Sequence, residues 1–283
     1  MSRQPILRAL FVLACTCTGL ATYAQEEGTG KPPFITTPAN VADRMLAIAE
    51  TGPRDLVVDL GSGDGRIVIA AAQKFGARGI GLELDPALVA ISRDNARAAG
   101  VADRVEFRVA DVLKADFSSA TVVTAYLLPW LLARLGNTFL YDLKPGSRIV
   151  THAFSLSGWQ PDRSETIVVA APDPKAGAQT IIHLWTVPAQ VRGSWHATTA
   201  AGDWRLDISQ NFQEIDIAGS AEGSALQVAP ARMDGTRMAF AGHLAGRDTR
   251  VTFIGHMIAG QLTGVAELER AGVRQSVNLL FVR

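Results

Sequence analysis

Residues 57–66 read V-V-D-L-G-S-G-D-G-R. An apolar run, Leu56-Val57-Val58, ends on Asp59. Gly61, Gly63 and Gly65 follow at alternate positions, and then Ile67-Val68-Ile69-Ala70-Ala71-Ala72, a run that suits a helix. Strand, glycine loop, helix is the order that brings backbone N–H groups and a helix N-terminus up to a bound nucleoside. Glycine serves there because the backbone needs unusual φ values and because a Cβ would hold the ligand off. A dinucleotide loop carries G-x-G-x-x-G around a pyrophosphate. Here the third glycine comes one residue early, and an acid stands two residues before the first. An acid at that point opposes a phosphate and suits a ligand with positive charge.

The pattern around this loop alternates. The spacing predicts strands over 55–60, 78–83, 105–109, 120–128 and 147–154, and helices over 66–75, 87–99 and 131–143. Pro86 opens the second of these helices, with Leu88, Ile91, Asn95 and Ala98 read as one side, and Gly100 closes it. The uniformly apolar run 120–128 reads as a strand buried on both faces. Residues 165–171 and 179–187 read as a hairpin across Pro172–Gly177. Upstream, Thr37 reads as an N-cap with Pro38 at the first helical position. Val41, Met45 and Ile48 then fall on one helix face. Such alternation implies an α/β fold with a doubly wound, mainly parallel sheet.

Beyond 188–193 no helical periodicity survives. Trp204/Leu206/Ile208, Ile215/Ile217, Met238/Phe240, Val251/Phe253 and Val277/Leu279/Phe281 alternate between glycine-bearing turns. This implies a small antiparallel barrel or sandwich over 191–283, following an α/β domain over 33–188. The stretches 240–244 and 253–257, F-A-G-H-L and F-I-G-H-M, echo each other as a recurring strand design. His243 and His256 within them could hold a metal, but no third ligand is evident, and surface positions suit them better; no metal is expected. Trp195 and Trp204 are read as packing residues.

Three acids stand at the carboxyl ends of the first three strands: Asp59, Glu83 and Asp111. Ligands of open α/β sheets bind at that edge. Glu83, or the nearby Asp85, is spaced to accept ribose hydroxyls, and Asp111 with Val112 is placed to meet an adenine. Single strand-end acids are commonly just solvated; three in register with the glycine loop point to a ligand.

The D-x-G-x-G-x-G pattern resembles motif I of the class I S-adenosylmethionine-dependent methyltransferases, which carry a Rossmann-like sheet ending in an antiparallel strand. The resemblance implies S-adenosylmethionine as cofactor, held by Asp59, Gly61, Gly63, Gly65, Glu83, Asp111 and Val112. The helix before motif I resembles the one that lids the cofactor, which adds Thr37. A narrower resemblance rests on D-L-G-S-G-D-G-R-I-V, T-A-Y-L-L-P at 124–129, P-G-S-R-I-V-T-H-A-F at 145–154 and the proline-bearing stretch 33–38. It is to the small protein-lysine methyltransferases related to the mitochondrial enzymes acting on the ATP synthase c-subunit and the adenine nucleotide translocase. It covers residues 33–169 and implies a protein substrate with an accepting lysine. Tyr126 and Pro129 then line the acceptor pocket, although the asparagine or aspartate common there in N-methyltransferases is missing. Tyr126 is otherwise a core aromatic. His152 is either a proton acceptor or a satisfied strand-end histidine.

The formal net charge is +0, which gives no electrostatic footprint for nucleic acid. Residues 1–24 read as a secretory signal peptide, with Arg3 and Arg8, a short apolar core and a cut after Ala24. The core is too short for a comfortable membrane span; Val12-Leu13-Ala14-Cys15 leaves a lipoprotein anchor as the lesser alternative. Both cysteines, Cys15 and Cys17, fall in this segment. Export conflicts with the cytosolic supply of S-adenosylmethionine. That conflict keeps open an exported binding protein with a non-catalytic methyltransferase fold; a nicotinamide oxidoreductase is disfavoured by the glycine spacing.

Overall fold

The computed structural model describes residues 35–283. The leader segment 1–24, with Pro33 and Phe34, lies outside the described residues. The first helix, α1 (Ala39–Ile48), buries Val41, Ala42, Met45, Leu46 and Ile48, the face its periodicity predicts. Its start differs from the expectation. Pro38 holds the cap position without a side-chain cap bond, because the Thr37 hydroxyl lies 3.2 Å from the ring of His152.

Strands and helices then alternate as β1 (Leu56–Leu60), α2 (Arg66–Phe75), β2 (Arg78–Glu83), α3 (Pro86–Ala98), β3 (Val105–Val109), β4 (Val122–Ala125), α4 (Pro129–Tyr141), β5 (Arg148–His152), β6 (Arg163–Val168) and β7 (Gln179–Thr186). They form one sheet of order β3-β2-β1-β4-β5-β7-β6. Neighbours among β1–β5 are parallel, while β7 is antiparallel to β5 and β6 to β7. This is the doubly wound sheet with a terminal hairpin.

Two elements differ from the pattern. The apolar run at 120–128 yields only the four-residue β4, all of it buried; Tyr126, Leu127 and Leu128 are half-buried in the loop beyond it. Helix α3 buries Val89, Ser92 and Ala96, and Ile91 is exposed. The helix crosses so close to the glycine loop that a Cβ on Gly65 would lie 2.8 Å from Ser92 Cβ. Small residues fit there; Ile91 is exposed and Leu88 half-buried.

The second sheet comprises β8 (Gly193–Thr199), β9 (Gly202–Asn211), β10 (Glu214–Ala221), β11 (Ser224–Val228), β12 (Ala231–Asp234), β13 (Arg237–Leu244), β14 (Thr249–Ile258), β15 (Gln261–Arg270) and β16 (Val273–Phe281). Its path runs β16-β15-β14-β13-β11-β10-β9-β8, with β12 paired to β10 and β13. His196 and Val282 form an antiparallel bridge, each N–H donating to the other's carbonyl at 2.9 Å. The sheet thus closes into a barrel, removing its free edges. Trp195, Trp204, Phe253 and Phe281 fill the interior with other buried apolar residues. In the echoed strands Phe240 pairs with Phe253, their rings 5.1 Å apart. The Phe253 ring lies over the paired glycines Gly255 and Gly264, where added Cβ atoms would sit 2.5 and 2.7 Å from its Cζ. Aromatic and glycine are therefore one packing device. His243 pairs in register with Arg250 and His256 with Arg237, which separates the two histidines by about 20 Å along the strands.

The barrel meets the first sheet at the amino-terminal edge of its parallel strands. Gly146, just before β5, donates to Val187 O at 2.8 Å, and Ala189 donates to Gly235 O at 2.8 Å. Trp159, between β5 and β6, stacks on Phe212 of the barrel at 5.0 Å. Its Nε1 donates to Gln213 Oε1 at 2.6 Å, and Arg232 pairs with Asp162. The carboxyl edge, where the glycine loop lies, faces away from these contacts. Among the described residues no helix is long and apolar enough to cross a membrane.

Candidate active site

The glycine loop is built by its neighbours. Gly61, Gly63 and Gly65 have φ of 77°, 53° and 84°, a region that L side chains enter with strain. The N–H groups of Gly61 and Ser62 donate to Leu82 O at 2.8 and 3.0 Å, and Gly65 donates to Ser62 O at 2.9 Å. A Cβ on Gly65 would lie 2.7 Å from Phe107, and one on Gly61 would lie 2.9 Å from Leu127 Cδ2. The loop is therefore wedged between β3 and the segment after β4. Asn95 Nδ2 adds a bond to Asp64 O at 2.9 Å. Gly61 itself stays exposed, so a ligand can approach its backbone.

The strand-end acids have different environments. Asp59 is 3% exposed and accepts from Thr124 Oγ1 at 2.7 Å. Burial pushes its pKa up to about 7; the charges of Glu83 and Asp64 add to this, and the Thr124 bond opposes it. Among the described residues no Lys or Arg pairs with it, so a cationic ligand group would complete this site. Glu83 is half-buried and braces the loop: Gly63 N–H donates to Oε2 and Asp85 N–H to Oε1, each at 2.9 Å. Its remaining lone pairs can still accept ribose hydroxyls. Asp111 caps the turn after β3, accepting from Leu113 N–H at 3.0 Å, with Lys114 Nζ 3.6 Å away. Val112 packs half-buried on the core beside Leu113. An acid-lined, glycine-walled edge fits a nucleoside that carries ammonium and sulfonium charges.

The aromatic residues stand at and just beyond the carboxyl ends of β4 and β5. Tyr126 is half-buried, and burial pushes its pKa up, so the phenol stays protonated. Its ring lies 4.1 Å from that of His152 and 6.5 Å from Phe154. Pro129 is exposed at the first position of α4. His152 is 4% exposed. Its Nδ1 lies 3.2 Å from Thr37 Oγ1 and its Nε2 2.8 Å from Thr180 Oγ1. Burial pushes its pKa down to about 4, and the charge of Lys175 acts in the same direction. Both ring nitrogens are thus engaged by hydroxyls, the arrangement of a satisfied strand-end histidine. The Thr37 hydroxyl faces His152, and its carbonyl accepts from Arg66 Nη1 at 2.9 Å.

Sequence reasoning missed the roles of Thr124, Arg66 and Thr180. Thr124 had a signal, a hydroxyl in an apolar strand in register with Asp59. Thr180 had none. A groove of about 590 Å³ opens elsewhere, on the barrel wall beside Ser194, Asp207 and Pro230; it holds none of the strand-end acids. Among the described residues no cluster of three or more His, Cys, Asp or Glu could hold a metal.

Sheet order, glycine loop and strand-end acids define an S-adenosylmethionine-dependent methyltransferase. The family model for the ANTKMT methyltransferase domain matches residues 59–163. A protein-lysine N-methyltransferase of Saccharolobus islandicus (strain REY15A) is 38% identical over 130 residues, which span 46% of this chain and 81% of that protein. The adenine nucleotide translocase lysine N-methyltransferase of Mus musculus is 35% identical over 129 residues, 46% of this chain and 56% of that protein. A crystal structure of an RNA methyltransferase from Salinibacter ruber in complex with S-adenosyl-L-homocysteine is 46% identical, with a TM-score of 0.50, covering 56% of this chain and 96% of that one. The chain belongs to the ANTKMT methyltransferase domain family. It spans 46% to 60% of the length of the vertebrate relatives it matches.

Proposed function

We propose that this chain methylates the ε-amine of a lysine on a protein. The observation that carries the reading is a cluster of rings next to the segment that packs on the glycine loop: Leu127 lies against Gly61, and the neighbouring Tyr126 ring lies 4.1 Å from His152 and 6.5 Å from Phe154. The lysine-directed names of the relatives support it. Bound S-adenosylmethionine supplies a methyl group activated by a sulfonium, which leaves as a neutral thioether when the amine lone pair forms the new N–C bond. The protein aligns the partners and keeps water out. Glu83 would hold the ribose, Asp111 and Val112 the adenine, and Asp59 the ammonium end. A lysine amine ionises near 10.4 and must arrive neutral. The half-buried pocket favours the neutral form by desolvation, the proton passing to solvent, and the Tyr126 hydroxyl can orient the nitrogen.

The test is transfer of labelled methyl from S-adenosylmethionine to extracts of the native host. Label is expected in protein, on lysine after hydrolysis. Label confined to RNA would replace this reading with the one suggested by the name of the Salinibacter protein. Cofactor binding without transfer to either would leave the binding-only alternative, which the relatives do not favour.

We further propose that the chain is exported and that its mature form begins near Gln25. The support is the composition of residues 1–24. N-terminal sequencing of protein from fractionated cells is expected to find this start outside the cytoplasm; an intact Met1 in the cytosol overturns it and removes the conflict with cofactor supply.

A further inference from the structure

His152 closes β5 at the edge it shares with the glycine loop, and hydroxyls hold both of its ring nitrogens: Thr37 Oγ1 at Nδ1, Thr180 Oγ1 at Nε2. A neutral imidazole offers one N–H and one lone pair. Two hydroxyls, each able to donate or accept, satisfy that pair in either tautomer. The ring cannot turn without breaking both bonds. Its face is fixed beside Tyr126, at 4.1 Å between centroids and 40° between planes. Thr37 is fixed in turn. Arg66 Nη1 donates to its carbonyl at 2.9 Å, and the same guanidinium forks onto Asp64 of the glycine loop, Nε to Oδ1 at 3.0 Å and Nη2 to Oδ2 at 2.6 Å. Thr180 lies on β7, on the far side of β5 from the strands that carry the acids.

We propose that Thr180 and Thr37 are positioning residues for methyl transfer: they clamp the His152 ring, the ring holds Tyr126 at the mouth of the acceptor pocket, and Arg66 ties the clamp to the glycine loop. The proposal rests on the reading that Tyr126 faces the acceptor, and extends it to Thr180, which no motif marks. Loss of the clamp frees the ring and the tyrosine beside it, and small misplacements of an aligned acceptor lower the rate without removing either ligand. The charged group near the ring is Lys175, in the β6–β7 connection; it opposes protonation, so the clamp keeps a neutral ring.

The test uses the full chain with Thr180→Val, which keeps the side-chain shape and removes the hydroxyl, and Thr180→Ser, which restores the hydroxyl. The valine variant is expected to lower kcat about tenfold, with acceptor KM and cofactor Kd changed by less than about twofold. The ¹⁵N resonance of the His152 ring nitrogen that loses its hydroxyl partner is expected to shift to that of an unbonded nitrogen. Serine should recover both the rate and the hydrogen-bonded resonance. Thr37→Val carries the same expectation if Thr180→Val does not fold. Wild-type kcat in the valine variants, an equal fall in cofactor affinity, or a serine variant that recovers nothing overturns the proposal. The ring resonances need no acceptor. A wild-type enzyme that leaves lysine unmethylated therefore defeats the proposed substrate, while the resonances still judge the clamp.

Discussion

Asp59→Asn is expected to weaken S-adenosylmethionine binding severely while making the ligand-free protein more stable above neutral pH. The carboxyl is buried against Thr124, and no Lys or Arg among the described residues pairs with it. An aspartate in the unfolded chain ionises near 3.9; in the fold it ionises at about 7. Between those values the folded state holds a proton that the unfolded state has lost. Its contribution to stability is full below about pH 4 and is lost as pH rises through 7, on the order of 2–4 kcal/mol. Asparagine keeps the shape and the acceptor for Thr124 and carries no charge, so this loss disappears. A cationic ligand reverses the balance. It favours the ionised carboxylate, so wild-type affinity is expected to rise with pH up to and through 7, and the asparagine variant should be flat. A charge-assisted hydrogen bond contributes about 1.5–3 kcal/mol, roughly ten- to a hundredfold in Kd. Calorimetric titration from pH 6 to 8, with thermal melts of the free proteins, reads both effects. An asparagine variant that binds as tightly as wild type would take Asp59 out of the cofactor site.

The stretch from β1 to β3 was legible because its signals are local. Strand ends, glycine positions and helix stops lie within a few residues of one another, and Arg66–Phe75 and Arg78–Glu83 form with the expected bounds. The errors have one cause, the close approach of the glycine loop to its neighbours. Spacing set Leu88, Ile91, Asn95 and Ala98 along one side of α3, whereas the helix buries Val89, Ser92 and Ala96, and Ser92 is what the space beside Gly65 admits. The same crowding ends β4 at Ala125: Leu127 must leave the sheet to reach Gly61. In the tail the strands were readable by alternation, but closure was not. The bridge from His196 to Val282 joins the first and last strands, and no local pattern encodes it.

The site divides in the same way. The acids and glycines announce themselves by register with one strand–loop–helix unit. The roles of Thr37 and His152 depend on β7, which arrives beside β5 from a hairpin thirty residues later in the sequence. A histidine at a strand end looks the same in the sequence whether its nitrogens are free or held, as here, by Thr37 and Thr180.

Trp159→Ala is expected to destabilise the whole described chain, by about 3–5 kcal/mol, and not one half of it. Trp159 lies between β5 and β6 and is 2% exposed. One face stacks on Phe212 with planes 9° apart; Nε1 donates to Gln213; its carbonyl accepts from Trp185 Nε1 at 2.9 Å. Gln213, also 2% exposed, returns a bond from Nε2 to Gln160 O at 2.7 Å. Phe212 takes a φ of 53°, a conformation costly for a non-glycine residue, to place its ring there. The β9–β10 turn of the barrel thus completes the core under α4 and β7, and both sheets belong to one compact unit. Removal of the indole leaves a cavity on the methyltransferase side and a buried amide without its donor on the barrel side. Gln213→Ala attacks the same contact from the barrel and is expected to cost about 1–3 kcal/mol by orphaning the indole N–H. Chemical denaturation followed by far-ultraviolet dichroism and by cofactor binding is expected to give one shared transition in the wild type, shifted together in both variants. Two separable transitions, with cofactor binding untouched by Gln213→Ala, would instead make the barrel an independent passenger on the enzyme.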